Sequence, residues 1–161
     1  MARYPLDDRD LRILAILARE GRISKTELAA RVNLSPTPTG ERLKRLEAAG
    51  LIRGYRAEIA LAELGPHVTV FAMIELENHR AETFQGFERT AALHPEITRL
   101  WAIGGGFDYL AEVVARDIDA YQRLIDAMLD ARIGLARYFT YIVTKPVKGP
   151  APPPFEALFD P

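Results

Sequence analysis

The stretch Ser24–Gly50, SKTELAARVNLSPTPTGERLKRLEAAG, constrains this chain more than any other. It contains two helix starts, a tight turn between them and a basic second helix. Ser24 and Glu27 have the spacing of a capping box, in which each side chain satisfies a backbone N–H at the other's position. Leu28 and Val32 supply the inner face of that helix. Asn33 tolerates the left-handed backbone that a sharp helix–helix turn requires, and Leu34 is placed to plug the space between the helices. Ser35 is the expected cap of the next helix. Pro36 takes its first position, where a missing N–H costs nothing. Thr39, Leu43 and Leu46 fall on one face, and Gly50 closes the helix. An earlier helix is expected from Asp7, with Asp10 in its acid-favouring first turn, Leu11, Leu14 and Leu17 inward, and Gly21 at its end. Three helices in this order make a helix-turn-helix frame of winged-helix type.

The remainder has a different rhythm. Residues 51–59, LIRGYRAEI, alternate enough to read as a strand, and residues 60–67, with Gly65-Pro66, read as a linker. Strands are expected at Val68–Leu76, Ile97–Ile103, Tyr109–Ala115 and Leu135–Thr144. Helices are expected at Ala81–Leu93, with Phe84, Phe87 and Ala91 inward, and at Asp117–Ala131, with Tyr121, Leu124, Ile125 and Met128 inward. The order βαββαβ predicts a ferredoxin-like sandwich, so the fold class is α+β. Both helices would cover one sheet face and leave the other as a dimer surface. The domain reading is residues 1–56 for the helix-turn-helix, 57–67 for strand and linker, 68–148 for the βαββαβ domain and 149–161 for a tail. That tail, GPAPPPFEALFDP, reads as extended or disordered, with Phe155, Leu158 and Phe159 as the alternative anchors against a neighbour.

Charge separates the two parts. Residues 1–56 hold 12 Lys/Arg against 7 Asp/Glu, while residues 57–161 hold 9 against 15. A basic first part can meet phosphates that an acidic second part repels. The absence of cysteine excludes disulfides, thiolate catalysis and Cys-based zinc sites. No apolar run is long enough for a membrane span, and MARYPLDDRD lacks a signal-peptide core. A cytoplasmic protein, nucleoid-associated when on DNA, is the expectation.

On the basic helix, the face opposite Thr39, Leu43 and Leu46 carries Thr37, Glu41, Lys44 and Arg45, with Pro38 and Arg42 on its flank. Such a helix fits the major groove with its N-terminal residues nearest the bases. Arg42, Lys44 and Arg45 can reach phosphates or guanine edges, and Thr37 can hydrogen-bond a base or phosphate. Arg53 and Arg56 are candidate backbone contacts. Glu41 either accepts from a cytosine amino group or pairs with Lys44 or Arg45 along the helix. Gly40 costs a helix interior about 1 kcal/mol, so it marks either a close approach to DNA or a weakly constrained site. A protein-interaction module of the same fold is the alternative that the basic charge disfavours.

The stretches LDDRDLRILAILAREGRISKTELAARVNLSPTP and ERLKRLEAAGLIRGY resemble the DNA-binding domain of Lrp/AsnC-type (feast/famine) transcription regulators. GGGFDYLAEV and RYFTYIVTKPVK resemble that family's effector-binding and oligomerisation domain, and the likeness covers nearly all of residues 6–148. A closer likeness, carried by SPTP and ERLKRLE, ELENHRAETF, WAIGGGFDYL, DIDAYQRLIDAML and ARYFTYIVTKPVK, is to the DoeX-type subgroup linked to ectoine breakdown. That subgroup usually has Cys-Trp where this chain has Thr39-Gly40, so its operator does not carry over.

The resemblance implies a small amino-acid-like effector, ectoine-derived compounds included, bound between subunits near the glycine turn. Here that turn is Gly104, Gly105, Gly106, Phe107 and Asp108. Glycines let a carboxylate approach backbone N–H groups, and Asp108 is suited to a cationic nitrogen. Trp101, Phe107, Tyr138 and Tyr141 can stack on a compact zwitterion, and Thr140 offers a hydroxyl. Tyr138 and Thr140 share one face of their strand while Phe139 and Tyr141 share the other, and the sequence leaves open which face lines a pocket. The implied partners are a double-stranded DNA operator and further copies of the chain: a homodimer building to a tetramer, octamer or larger. No cofactor, metal or catalytic residue is expected, because His67, His79 and His94 lack ligand spacing and no nucleophile motif is present. An architectural DNA binder without effector, or an enzyme on the ferredoxin-like fold, are the other classes.

Overall fold

A computed structural model describes residues 5–159; the outermost ends of the first domain and of the tail, residues 1–4 and 160–161, lie outside the described residues. Two compact units divide the chain. One comprises residues 1–59 together with 148–161, and the other residues 60–147.

The first unit contains α1 (Asp8–Arg19), α2 (Lys25–Arg31) and α3 (Pro36–Ala48), with a last short helix, α7 (Phe155–Leu158), from the tail. Asp7 caps α1 in a reciprocal box with Asp10: Asp10 N donates to Asp7 Oδ1 at 2.9 Å, and Asp7 N donates to Asp10 Oδ2. Ser24 caps α2 by accepting from Glu27 N at 3.1 Å. The expected return bond from Glu27 is replaced by an ion pair with Arg31, which Glu20 also holds. Asn33 takes the left-handed backbone expected of it, φ 54°. At α3 the Ser35 side chain makes no cap bond. Its carbonyl instead accepts from the Thr39 hydroxyl at 2.9 Å, which is how a fully buried Thr39 is satisfied. Ile13, Leu28, Val32 and Leu46 form the core, with Leu14, Leu17, Leu34 and Leu43 packed around it.

Arg42 locks α3 to α1. Its Nη1 donates to Asp7 Oδ2 at 2.6 Å and to Asp10 Oδ1 at 2.8 Å. The Asp10 carboxylate is 4% exposed, so the guanidinium is what makes its burial affordable. Partial burial opposes ionisation of Asp7, but its backbone N–H bonds and Arg42 outweigh it and hold the carboxyl below its ordinary range.

No strand forms over residues 51–59, where one was expected, because this segment finds no ladder partner among the described residues. Tyr55 ties it back to α3 instead, donating to Glu47 Oε1 at 2.9 Å; burial first, then this acceptor, pushes its phenol up to about 12. The expected linker contains a single turn of helix, α4 (Leu61–Leu64).

The second unit contains β1 (Val68–Leu76), α5 (Ala81–Ala91), β2 (Ile97–Ala102), β3 (Tyr109–Ala115), α6 (Ile118–Asp130) and β4 (Leu135–Ile142). The strands form one antiparallel sheet in the order β2-β3-β1-β4, which is the ferredoxin-like arrangement. Alternate residues of β1 and β3 (Val70, Ala72 and Ile74; Tyr109, Ala111 and Val113) pack under α5 and α6 with Phe87, Tyr121, Ile125 and Met128. Each large side chain buried here contributes about 1.5–3 kcal/mol. Ala136 is an extra residue on β4 between the pairs Leu76–Leu135 and Glu75–Arg137. This bulge lets Leu135 and Tyr138 both face the helices.

Arg42→Met leaves Asp10 buried without its cation and is expected to destabilise the first unit by about 1.5–3 kcal/mol in denaturant unfolding. Because the Asp7 pKa is lowered by folding, its contribution is complete above the ordinary carboxylate range and is lost as pH falls through the lowered value. Native stability therefore drops below about pH 4, and the drop is shallower in Arg42→Met.

Candidate functional site

The buried side of α3 is set by Thr39 and Leu46, both fully covered. That fixes the opposite side: Thr37, Glu41, Lys44 and Arg45 are exposed along one stripe, at the spacing of a single helix face. Pro38 and Gly40 lie half-buried beside it. A Cβ on Gly40 would meet no atom of the described residues within 4 Å, so none of them requires glycine there. Among the described residues no ion pair joins Glu41 to Lys44 or Arg45, leaving its carboxylate on the open stripe. Arg53 and Arg56 are exposed on the segment after α3. Arg42, read from sequence as a DNA contact, differs from the rest. Its side chain is 18% exposed, and its Nη1 is held by Asp7 and Asp10.

In the second unit the glycine turn joins β2 to β3. Gly105 has φ 132°, a conformation that side chains resist. Asp108 anchors the turn to the end of β1: Leu76 N donates to its Oδ2 at 2.8 Å, its own N donates to Ile74 O, and its O accepts from Ile103 N. Its Oδ1 lies 3.0 Å from Nε2 of the exposed His79, which stacks on Phe84. The carboxylate read as a ligand acceptor is thus already committed to backbone and imidazole.

Strand register assigns the aromatic residues. Trp101 pairs with Leu110, Leu110 with Met73, and Met73 with Phe139, so these four form one row on the face away from the helices. Phe107 meets Phe139 edge-on at 5.3 Å between centroids, and the Arg137 guanidinium lies over the Phe139 ring. The next row is Arg99, Glu112, Phe71 and Tyr141. Tyr138 and Thr140 pair with Ile74 and Ala72 on the helix side, where Thr140 Oγ1 shares a 2.8 Å hydrogen bond with the Tyr121 hydroxyl. Trp101 and Phe107 are therefore separated by the sheet from Tyr138 and Thr140, and one pocket on either face cannot use all four. Among the described residues no cluster of three His, Asp or Glu side chains is placed to hold a metal.

Residues 6–53 match a family of winged helix-turn-helix DNA-binding domains, and residues 69–152 match the Lrp/AsnC ligand binding domain. The chain belongs to the Lrp/AsnC family of transcription regulators. It is similar to the transcriptional regulatory protein DoeX of Halomonas elongata, 51% identical and spanning 91% of this chain and 92% of that protein. The leucine-responsive regulatory protein of Escherichia coli K12 is 38% identical, over 89% of this chain and 87% of that protein. Among solved structures, a Neisseria meningitidis transcriptional regulator in complex with L-Met superposes with a TM-score of 0.88 at 28% identity, over 96% of this chain and 100% of that one. The chain is a DNA-binding transcription regulator with a ligand-binding domain.

For a regulator of this family, the partners of Asp108 are what the sequence reading missed. His79 sits in a polar run after β1 with no motif around it, and only the turn's fold brings it to Asp108. Arg137 and Glu75 gave no pattern either, because their ion pair depends on how β4 is registered against β1. No helix among the described residues is long and apolar enough to cross a membrane. Asp108→Ala leaves the buried Leu76 N–H without its acceptor. Unfolding of the second unit is expected at about 1–3 kcal/mol lower free energy, read in denaturant titrations without any effector present.

Proposed function

We propose that α3 reads operator DNA through Thr37, Glu41, Lys44 and Arg45, with Pro38 and Gly40 against the groove and Arg53 and Arg56 on phosphates. The observation that carries this is the exposed stripe opposite the fully buried Thr39 and Leu46. A helix locked on one face and polar on the other presents its side chains to a groove with little orientational freedom. Arg42 is assigned to positioning α3 rather than to contacting bases, because its guanidinium is held by two carboxylates.

The effector reading is a compact zwitterion at the glycine turn. The support is Gly104–Gly106, with exposed backbone, beside Trp101 and Phe107 on the open sheet face. Tyr138 and Thr140 act from the other side as packing. The likeness to DoeX favours an ectoine-derived compound; the L-Met complex of the Neisseria regulator makes an amino acid the second candidate. The open face also supports a homodimer, with higher assemblies built from it, since the rows Trp101–Phe139 and Arg99–Tyr141 combine large aromatics with paired charges. Two copies on a two-fold axis would read half-sites about one helical turn apart. The effector changes regulation only through a difference in affinity between assemblies. The site of action is the cytoplasm.

Arg45→Ala is expected to weaken operator binding by about 1–3 kcal/mol, and Lys44→Ala to reduce the salt slope by about 1. Footprinting titrations on a duplex selected from random sequence check both; unchanged affinity removes the residue from the interface. Gly40→Ala is expected to stabilise α3 by up to about 1 kcal/mol while weakening that binding. Calorimetry with ectoine, its ring-opened acetylated derivatives and the common amino acids is expected to find one binder that shifts operator affinity. With no binder among them, the effector assignment fails and the DNA reading stands.

A further inference from the structure

The tail does not trail away from the first unit. Pro154 O accepts from Ala157 N and Leu158 N, and Phe155 O accepts from Phe159 N, closing the single turn of α7. That turn puts Phe155 and Phe159 on one side, with ring centroids 6.3 Å apart. Both line an apolar cavity of about 420 Å³ whose other walls are α1, through Leu14 and Leu17, and the segment after α3, through Leu51 and Tyr55. Leu158, on the other side of the turn, is 57% exposed. Pro152–Pro154 run along the neighbouring face of α1 beside Arg12 and Arg19. Prolines suit this course: they lack the N–H groups that a docked, non-helical segment would leave without partners, and they enter it with little entropy to lose.

We propose that residues 152–159 are a strap for the DNA-binding unit of the same chain. The groove between α1 and residues 51–55 is its dock, and Phe155 and Phe159 are its two anchors. The chain leaves the helix-turn-helix unit once, at residues 59–60, and returns to it at residues 147–148. The strap turns that return into a second tether running from the end of β4. Its grip on α1 reaches further, because α1 supplies Asp7 and Asp10, which hold Arg42 and therefore α3. Tethering also keeps the two phenyl rings at a high effective concentration beside a groove that a free peptide this short would occupy weakly.

Amide hydrogen exchange on the intact protein tests this whether or not the unit binds DNA. Ending the chain after Lys148, or the double variant Phe155→Ala/Phe159→Ala, is expected to lower protection in α1 about tenfold or more, with a smaller loss in α3. Leu158→Ala is expected to stay within about twofold of the wild type. The synthetic peptide GPAPPPFEALFDP, added at millimolar concentration to the shortened chain, is expected to restore protection in α1 and in residues 51–55. If the shortened chain fails to fold, the milder single variants Phe155→Leu and Phe159→Leu carry the comparison against Leu158→Ala. Unchanged protection in α1 after removal of the tail overturns the proposal, and so does a Leu158→Ala effect equal to that of the double variant.

Discussion

One guanidinium organises the DNA-binding unit. Arg42 stands on α3 but bonds to Asp7 and Asp10 at the start of α1, so the orientation of α3 is indexed against α1. The two aspartates are arranged first by each other, in the capping box that begins α1. Cap, buried carboxylate and inter-helix lock are thus one polar assembly at the edge of the apolar core of Ile13, Leu28 and Leu46. Such a lock is costly to half-break, since either partner left alone is a charge without a partner in a largely covered place. Its return is a defined rotation of α3 about its own axis, and that rotation selects which side chains stand on the exposed stripe.

The second unit achieves definition differently, through alternation. Every side chain of β1 is assigned to one face by its pairing with β3 and β4, and the inner set is apolar. The polar groups inside are few and satisfied: Tyr109 donates to Glu88, and Tyr121 shares a bond with Thr140. The inner face is thereby filled.

Most of the architecture was legible in the sequence because it rests on local signals. Asn33 and Pro36 announced the turn and the start of α3, and Asp117 announced α6, where it accepts from Ala120 N as a cap should. The helix faces followed from spacing, as with Tyr121, Leu124, Ile125 and Met128, all buried. What escaped was non-local. Arg42 looks like any basic residue on a recognition helix until Asp7 and Asp10, more than thirty positions earlier, arrive beside it. Asp108 looks like a ligand acceptor until the end of β1 is placed against it. The strand expected at residues 51–59 had suitable alternation but no neighbour among the described residues, and a ladder takes two. The tail had a composition typical of disorder, and its two phenylalanines gained meaning only from the groove they line.

Gly40 sits at the margin of these constraints. The fold closes tightly around Thr39 on one side of it and leaves empty space on the other, where no atom of the chain approaches a would-be Cβ. A Cβ placed there would stand beside the stripe without touching the core or the Arg42 lock. The position is therefore an open slot: alanine in place of glycine would raise helix propensity there, while the scaffold that presents it stays unchanged.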